Sequence, residues 1–151
     1  MAPLFILLFS FLLLHAMNRV FMNASYPVDS IGRVAMAIML VFTAVGHFAK
    51  TDLMVDMMPD FVPFKTTLVY LTGVFEAIGA VMLCVKRFSR QGSWLLIIFL
   101  MAVLPANIVG SLKEVALGGM EYGTAYLYFR IPLQLFFIWW IYYFGIRRNF
   151  R

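Results

Sequence analysis

Five stretches of mostly apolar residues, roughly 3–22, 31–49, 66–85, 92–112 and 128–146, constrain this chain more than any other feature. Each approaches the roughly 20 residues an α-helix needs to cross the hydrocarbon of a bilayer. In lipid, backbone N–H and C=O groups must be satisfied within the segment, so such stretches can only be helices. Composition removes the aqueous alternative: 64% of residues are hydrophobic and 13% charged, where a soluble domain carries about 25% charged. The fold expected is all-α, a polytopic membrane helical bundle. The 151 residues suit one domain. Disorder and an aqueous enzyme are excluded, because 19 charged side chains could not cover a soluble surface.

The first stretch has two readings. Leu4 to Leu14 has the length of a signal-peptide core, but no Lys or Arg precedes it and no small-residue cleavage site is evident near Met22-Asn23-Ala24. It is therefore read as an uncleaved helix, with residues 1–30 as an N-terminal helix and connection. The Asn23-Ala24-Ser25 sequon is read as chance. A single cysteine, Cys84, excludes an internal disulfide.

The +5 balance would suggest nucleic acid in a soluble protein. Here the basic residues flank apolar runs, so their role is orientation and no nucleic-acid partner is expected. Arg19, Arg33, Lys86, Arg87, Arg90, Arg147, Arg148 and Arg151 fall on one side. Lys50, Lys65, Lys113 and Arg130 fall on the other. The positive-inside rule then predicts the N-terminus outside and the C-terminus inside. Between Lys50 and Lys65, Pro59 and Pro63 break any long helix. A short amphipathic cap is expected there, with Leu53, Met54, Met57, Met58 and Phe61 lying on the membrane or closing the bundle. Gly118, Gly119 and Gly123 make 113–127 read as a flexible loop.

Chemistry-bearing residues are few. Glu76 sits near the centre of the third span, where an unpaired carboxylate is costly, so it should face the bundle interior. Thr72, Gly73, Glu76, Ala77 and Ala80 share a face of mostly small residues that admits a close neighbour. It is read either as a functional acid or as a packing acid. His47, one turn after Thr43, suits a packing or interface role, with no other ligand at metal spacing beside it. His15 has still less to support a role. Pro105 removes a backbone donor, frees the Met101 carbonyl and kinks the fourth span, leaving Asn107 to satisfy a neighbour. Arg130 and Gln134 stand one turn apart at the start of the fifth, where Pro132 suits a first turn. Arg130 reads as a residue snorkelling outward or as the counter-ion of Glu76.

Depth joins these groups. At about 1.5 Å per residue, Glu76 lies roughly 15 Å below the outer end of its helix, Asn107 and Gln134 about 8–9 Å, and His47 and Arg130 about 3 Å. Polar groups in a bilayer turn toward one another. The expectation is an outward-opening polar pocket lined by Glu76, Asn107, Arg130, Gln134 and His47, walled by Phe48, Phe61, Phe75, Tyr70, Tyr128 and Trp139. Trp139, Trp140, Tyr142 and Tyr143 are expected to form an aromatic belt at the inner end. No catalytic motif is present, and no metal spacing.

Gly46-His47-Phe48, Met58-Pro59, Pro63, Tyr70-Leu71-Thr72-Gly73-Val74-Phe75-Glu76, Pro105-Ala106-Asn107 and Arg130-Ile131-Pro132-Leu133-Gln134 occur in that order. As a set they resemble the DoxX-like family of small bacterial membrane proteins. The resemblance covers residues 31–147 and implies a four-helix DoxX-like core with both ends inside, in the bacterial inner membrane. The N-terminal helix is additional to that pattern. Some members are associated with membrane oxidoreductases, including a thiosulfate:quinone enzyme, and distant relatives look like chaperones or cargo receptors. The resemblance therefore implies an accessory subunit of a redox or quinone-linked system, with quinone as the ligand and a membrane oxidoreductase or other membrane protein as partner. The alternative is a chaperone or interaction module whose polar cluster is structural. Homo-oligomerisation is left open.

Overall fold

A computed structural model describes residues 2–147. Arg148 and Arg151, counted above for orientation, lie outside them. The described residues form an all-α bundle of six helices: α1 Ala2–Val20, α2 Val28–Ala49, α3 Thr51–Asp56, α4 Lys65–Cys84, α5 Ser89–Leu112 and α6 Thr124–Ile141. The last runs on through a π-helical turn, Tyr142–Arg147. All except α3 are long and apolar enough to cross a membrane.

The helices run alternately up and down. The most extensive packing is of α2 on α4, followed by α1 on α2, α4 on α5 and α5 on α6. Contact between α2 and α6 is sparse until the π-helical turn, where the chain returns to α2. That leaves a seam between α2 and α6 at the end carrying α3. The opposite end is closed. Trp140 Nε1 donates to the Gly32 carbonyl at 3.0 Å, and buried Arg33 reaches the Phe144 carbonyl at 3.4 Å. Gly32 permits this because a Cβ there would lie 2.4 Å from the Phe144 ring. Trp140 is thus a buried tie, a departure from the expected belt, because its indole N–H finds an acceptor inside the bundle. Trp139 and Tyr142 do face outward.

The N-terminal helix is packed into the bundle. Leu7 is fully buried, and the Phe11 ring meets Trp140 edge-on at 5.1 Å and Phe144 at 5.7 Å. Asn18 and Tyr26 exchange two hydrogen bonds, of 2.8 and 3.0 Å, that fix the following connection. At the other end α3 packs over part of the bundle: Leu53, Met54 and buried Met57 meet Val115, Met120 and Tyr126. Phe61 departs from this arrangement and is 86% exposed.

Two readings of the chain from 113 to 132 change. The glycine-rich connection is packed, since Val115 and Met120 are buried and Met120–Tyr122 forms a 3₁₀ turn. Its glycines supply the positive φ values that this compact path needs, at Gly118, Gly119 and Gly123. Helix α6 begins at Thr124, which places Pro132 in its interior. Burial of Tyr126 draws the extra turn into the fold.

Candidate functional site

Glu76 is 7% exposed, and the acid's partner is His47 of α2. The α2–α4 crossing explains the pairing. Gly73, one turn before Glu76, lies so close to α2 that a Cβ there would be 2.7 Å from His47 Cβ. This close approach brings His47 Nε2 to 3.5 Å from Glu76 Oε2, an electrostatic contact longer than a good hydrogen bond. The other ring nitrogen, Nδ1, lies 3.1 Å from the Val69 carbonyl and 3.1 Å from Thr72 Oγ1. The Thr72 hydroxyl donates to the same carbonyl at 2.9 Å. The Thr72 hydroxyl is thus within reach of both the Val69 carbonyl and Nδ1, and Nε2 is the nitrogen that addresses the acid.

Arg130 heads a second network. Its Nη2 donates to Asn107 Oδ1 at 3.0 Å, and Asn107 Nδ2 donates to Gln134 Oε1 at 3.4 Å. Gln134 Nε2 donates to the Leu100 carbonyl. Asn107 and Gln134 are buried and Arg130 is half-buried. The carbonyl that is bound is the neighbour of Met101, the one Pro105 was expected to free. Arg130 makes no ion pair with Glu76, contrary to the counter-ion reading. Tyr126 acts on it by charge and hydrogen bonding and Glu76 by charge alone, without a salt bridge. The reason is adjacency: α4 packs along α2, while α6 packs on α5. Arg130 does not snorkel outward either, because the earlier start of α6 sets it about 9 Å inside the helix end.

The two networks face one cavity of about 480 Å³, lined by Glu76, His47, Asn107, Arg130 and Gln134. All five residues singled out in the sequence therefore meet in one place. The expected wall residues do not. Phe48, Phe61, Phe75, Tyr70, Tyr128 and Trp139 are exposed and lie off the cavity. Its aromatic lining is Phe42, Phe99, Tyr126 and Phe137, with Met39, Met54, Met57, Met58 and Met120. Apolar positions facing lipid and facing an apolar cavity look alike in sequence. Tyr126 stands four residues before Arg130, a spacing that would have marked it had the helix start been placed correctly.

Two residues of the cavity lining each carry a buried side-chain atom without a hydrogen-bond partner, Glu76 Oε2, which faces His47 Nε2 at 3.5 Å, and Arg130 Nε. His15 Nδ1 is also unpartnered and buried, but His15 lies away from the cavity, its ring stacked on Phe11 at 6.0 Å. Among the described residues no cluster of His, Cys, Asp and Glu suits a metal ion.

Charge also organises the roof. Asp60 is bound by Lys113 at 2.7 Å and Lys65 at 3.5 Å, and Lys113 donates to the Met58 carbonyl at 3.3 Å. The hydrogen bond and charge of Lys113, then those of Lys65, hold the Asp60 carboxyl below the usual carboxylate range. Sequence reading used these lysines only for orientation.

Residues 36–144 match the profile of a family described as a domain of unknown function, DUF8561, and the chain belongs to that family. The match begins within α2 and ends in the π-helical turn of α6, so it spans the helices around the cavity and leaves α1 outside. No curated protein matches the chain, and no solved structure does.

Proposed function

We propose that this chain is a DoxX-like integral membrane protein that binds a small amphiphile of the quinone class, as an accessory subunit of a membrane redox system. The observation that carries the reading is a cavity whose largely apolar lining gathers Glu76, His47, Asn107, Arg130 and Gln134 in one place. A cavity of about 480 Å³ with a few polar side chains in an apolar wall suits a ligand with a small polar head, in the size range of small-molecule sites. The redox connection rests on the DoxX resemblance, as does a bacterial inner-membrane location. On the charge count the cavity opens to the outer half, with the N-terminus out.

A thermal-shift series tests this on the purified protein, with a tailed quinone, its hydroquinone and a total lipid extract. A ligand at a hundredfold excess over Kd stabilises by about 2.7 kcal/mol. No shift with any of them would refute the reading. A second reading, an interaction module with a structural polar cluster, draws on a different observation. Asn107, Gln134 and the Leu100 carbonyl satisfy one another between α5 and α6. On that reading Asn107 and Gln134 hold the bundle, and a ligand-independent stability loss on their removal supports it.

A further inference from the structure

The wall of the cavity is exposed along one edge. None of its lining residues on α4, α5 or α6, Val69, Leu100, Tyr126 and Leu133 among them, is exposed, so bordering the cavity does not by itself expose a side chain. On α2, by contrast, the lining residues Phe42 and Val45 are 48% and 59% exposed, and Ala49, one turn on from Val45, is exposed as well. The three share one face of the helix, so a single stripe of α2 borders both the cavity and the outside. It lies on the side where α2 and α6 hardly touch.

Helix α1 sets the lower limit of this edge. Leu7 is fully buried in the core that holds Met36 and Leu40, whereas Ala2 and Pro3, nearer the start of α1, line the cavity, and Ala2 is exposed. Lys50 and Gly118, exposed lining residues beyond the helix ends, mark the upper limit. From Phe42 to Lys50 the chain rises about 12 Å. The edge is therefore a slot along α2, apolar below Lys50. Because α2 is long and apolar enough to cross a membrane, the slot faces hydrocarbon.

We propose that the cavity takes its ligand from the bilayer through this slot, and that the ligand is a membrane-dissolved amphiphile whose long hydrocarbon tail lies in the slot and ends in lipid. This rests on the reading above that the cavity binds an amphiphile, and adds to it the route of entry and the form of the tail. A measurable consequence follows from where the tail ends. Methylenes beyond the slot are in hydrocarbon whether the ligand is free or bound, so they leave the affinity, counted per lipid, unchanged. A closed cavity would have no room for them. A slot open to water would lose about fourfold in affinity for each methylene drawn out of lipid.

The test is equilibrium binding to the full chain in lipid nanodiscs of three probes with one quinone head and a butyl, decyl or hexadecyl tail. The hexadecyl and decyl probes are expected to bind within about threefold of each other per mole of lipid. Val45→Trp and Ala49→Trp, which narrow the slot, should weaken both long-tailed probes about tenfold and leave the butyl probe within about threefold. Val41→Trp is the control, since Val41 is exposed on α2 but does not line the cavity. The wild-type series stands even where a tryptophan variant fails to fold. A hexadecyl probe bound more than about tenfold more weakly than the decyl probe, or unchanged binding of the long tails in both slot variants, would overturn the slot while leaving an amphiphile site standing. Absence of binding by all three probes would remove the amphiphile reading, and this inference with it.

Discussion

Replacing Asn107 with alanine removes the acceptor that holds Arg130 Nη2 at 3.0 Å and the donor that reaches Gln134 at 3.4 Å. The first bond involves a permanent charge inside the bundle, and hydrogen bonds to charged groups contribute about 1.5–3 kcal/mol. The second is long and neutral, and polar contacts between membrane helices average about 0.6 kcal/mol. The side chain already borders a cavity, so little packing is lost. Together these give a cost of about 2–3 kcal/mol. Gln134→Ala loses two neutral bonds, to Asn107 and the Leu100 carbonyl, and should cost about 1 kcal/mol. Glu76→Leu should fall between them, at about 1–2 kcal/mol. It strands no permanent charge, because Arg130 keeps Asn107. Reversible unfolding in mixed micelles measures all three. Repeating Asn107→Ala in an Arg130→Met background isolates the charge-assisted bond, where the cost should fall to about 0.5–1 kcal/mol. An Asn107→Ala cost equal to that of Gln134→Ala, unchanged in that background, would refute the assignment of Arg130 to Asn107.

Gly73→Val should push His47 away and separate α2 from α4, because even a Cβ there falls 2.7 Å from His47 Cβ. Overpacking of this kind costs about 1–3 kcal/mol and is read as a lowered melting midpoint, which an unchanged midpoint would contradict. Orientation is tested in a Cys84→Ser background, since Cys84 is exposed. Phe61→Cys should react with an impermeant reagent on intact cells and Gln91→Cys should not; the reverse pattern inverts the proposed topology. The Asp60 clasp has a definite pH sign. Its carboxyl titrates below the usual range, so the Lys113 and Lys65 ties are present at neutral pH and lost only as pH falls below about 3.9. Hydrogen exchange in 56–65 should therefore be flat from neutral pH down to that limit once corrected for intrinsic rates, and should rise with added salt.

The bundle was legible because a bilayer imposes one solution on a long apolar run, and the boundaries of α1, α2, α4 and α5 follow from hydropathy alone. The polar layer was legible for a related reason: the alternation of helix direction turns sequence position into depth. What hydropathy does not encode is which helices touch. Gly73 and Glu76 announce a close neighbour on their face of α4, but nothing in the sequence says that it is α2 rather than α6. Hence His47 and not Arg130 faces the acid. Pro132 misled in another way. Its preference for a first helical turn suggested a start near 128, whereas Gly123-Thr124 begins the helix and the ring is tolerated in the interior. The misassigned cavity walls have a physical cause as well. In a soluble helix the lipid-like and water-like faces differ, but here Phe42 and Phe48 are equally apolar and only packing separates cavity from lipid.

The two ends of the bundle differ in a way that bears on passage through it. At the α3 end Glu76, His47, Asn107, Arg130 and Gln134 line open volume. At the other end each polar group named is turned inward and occupied. Trp140 is tied to Gly32, Arg33 binds Ser30 and the Phe144 carbonyl, and Ser93 binds the Ser89 carbonyl. Between the ends lies a layer of buried Met36, Leu40, Leu83, Leu96 and Ile141. A solute travelling from the cavity to the far side would have to cross that layer with no polar group to exchange for water, and then break the Trp140 and Arg33 ties. Transporters place their sites between two gates that open in turn. This bundle has one opening and one closed end, which supports a site that holds its ligand and returns it to the side from which it came.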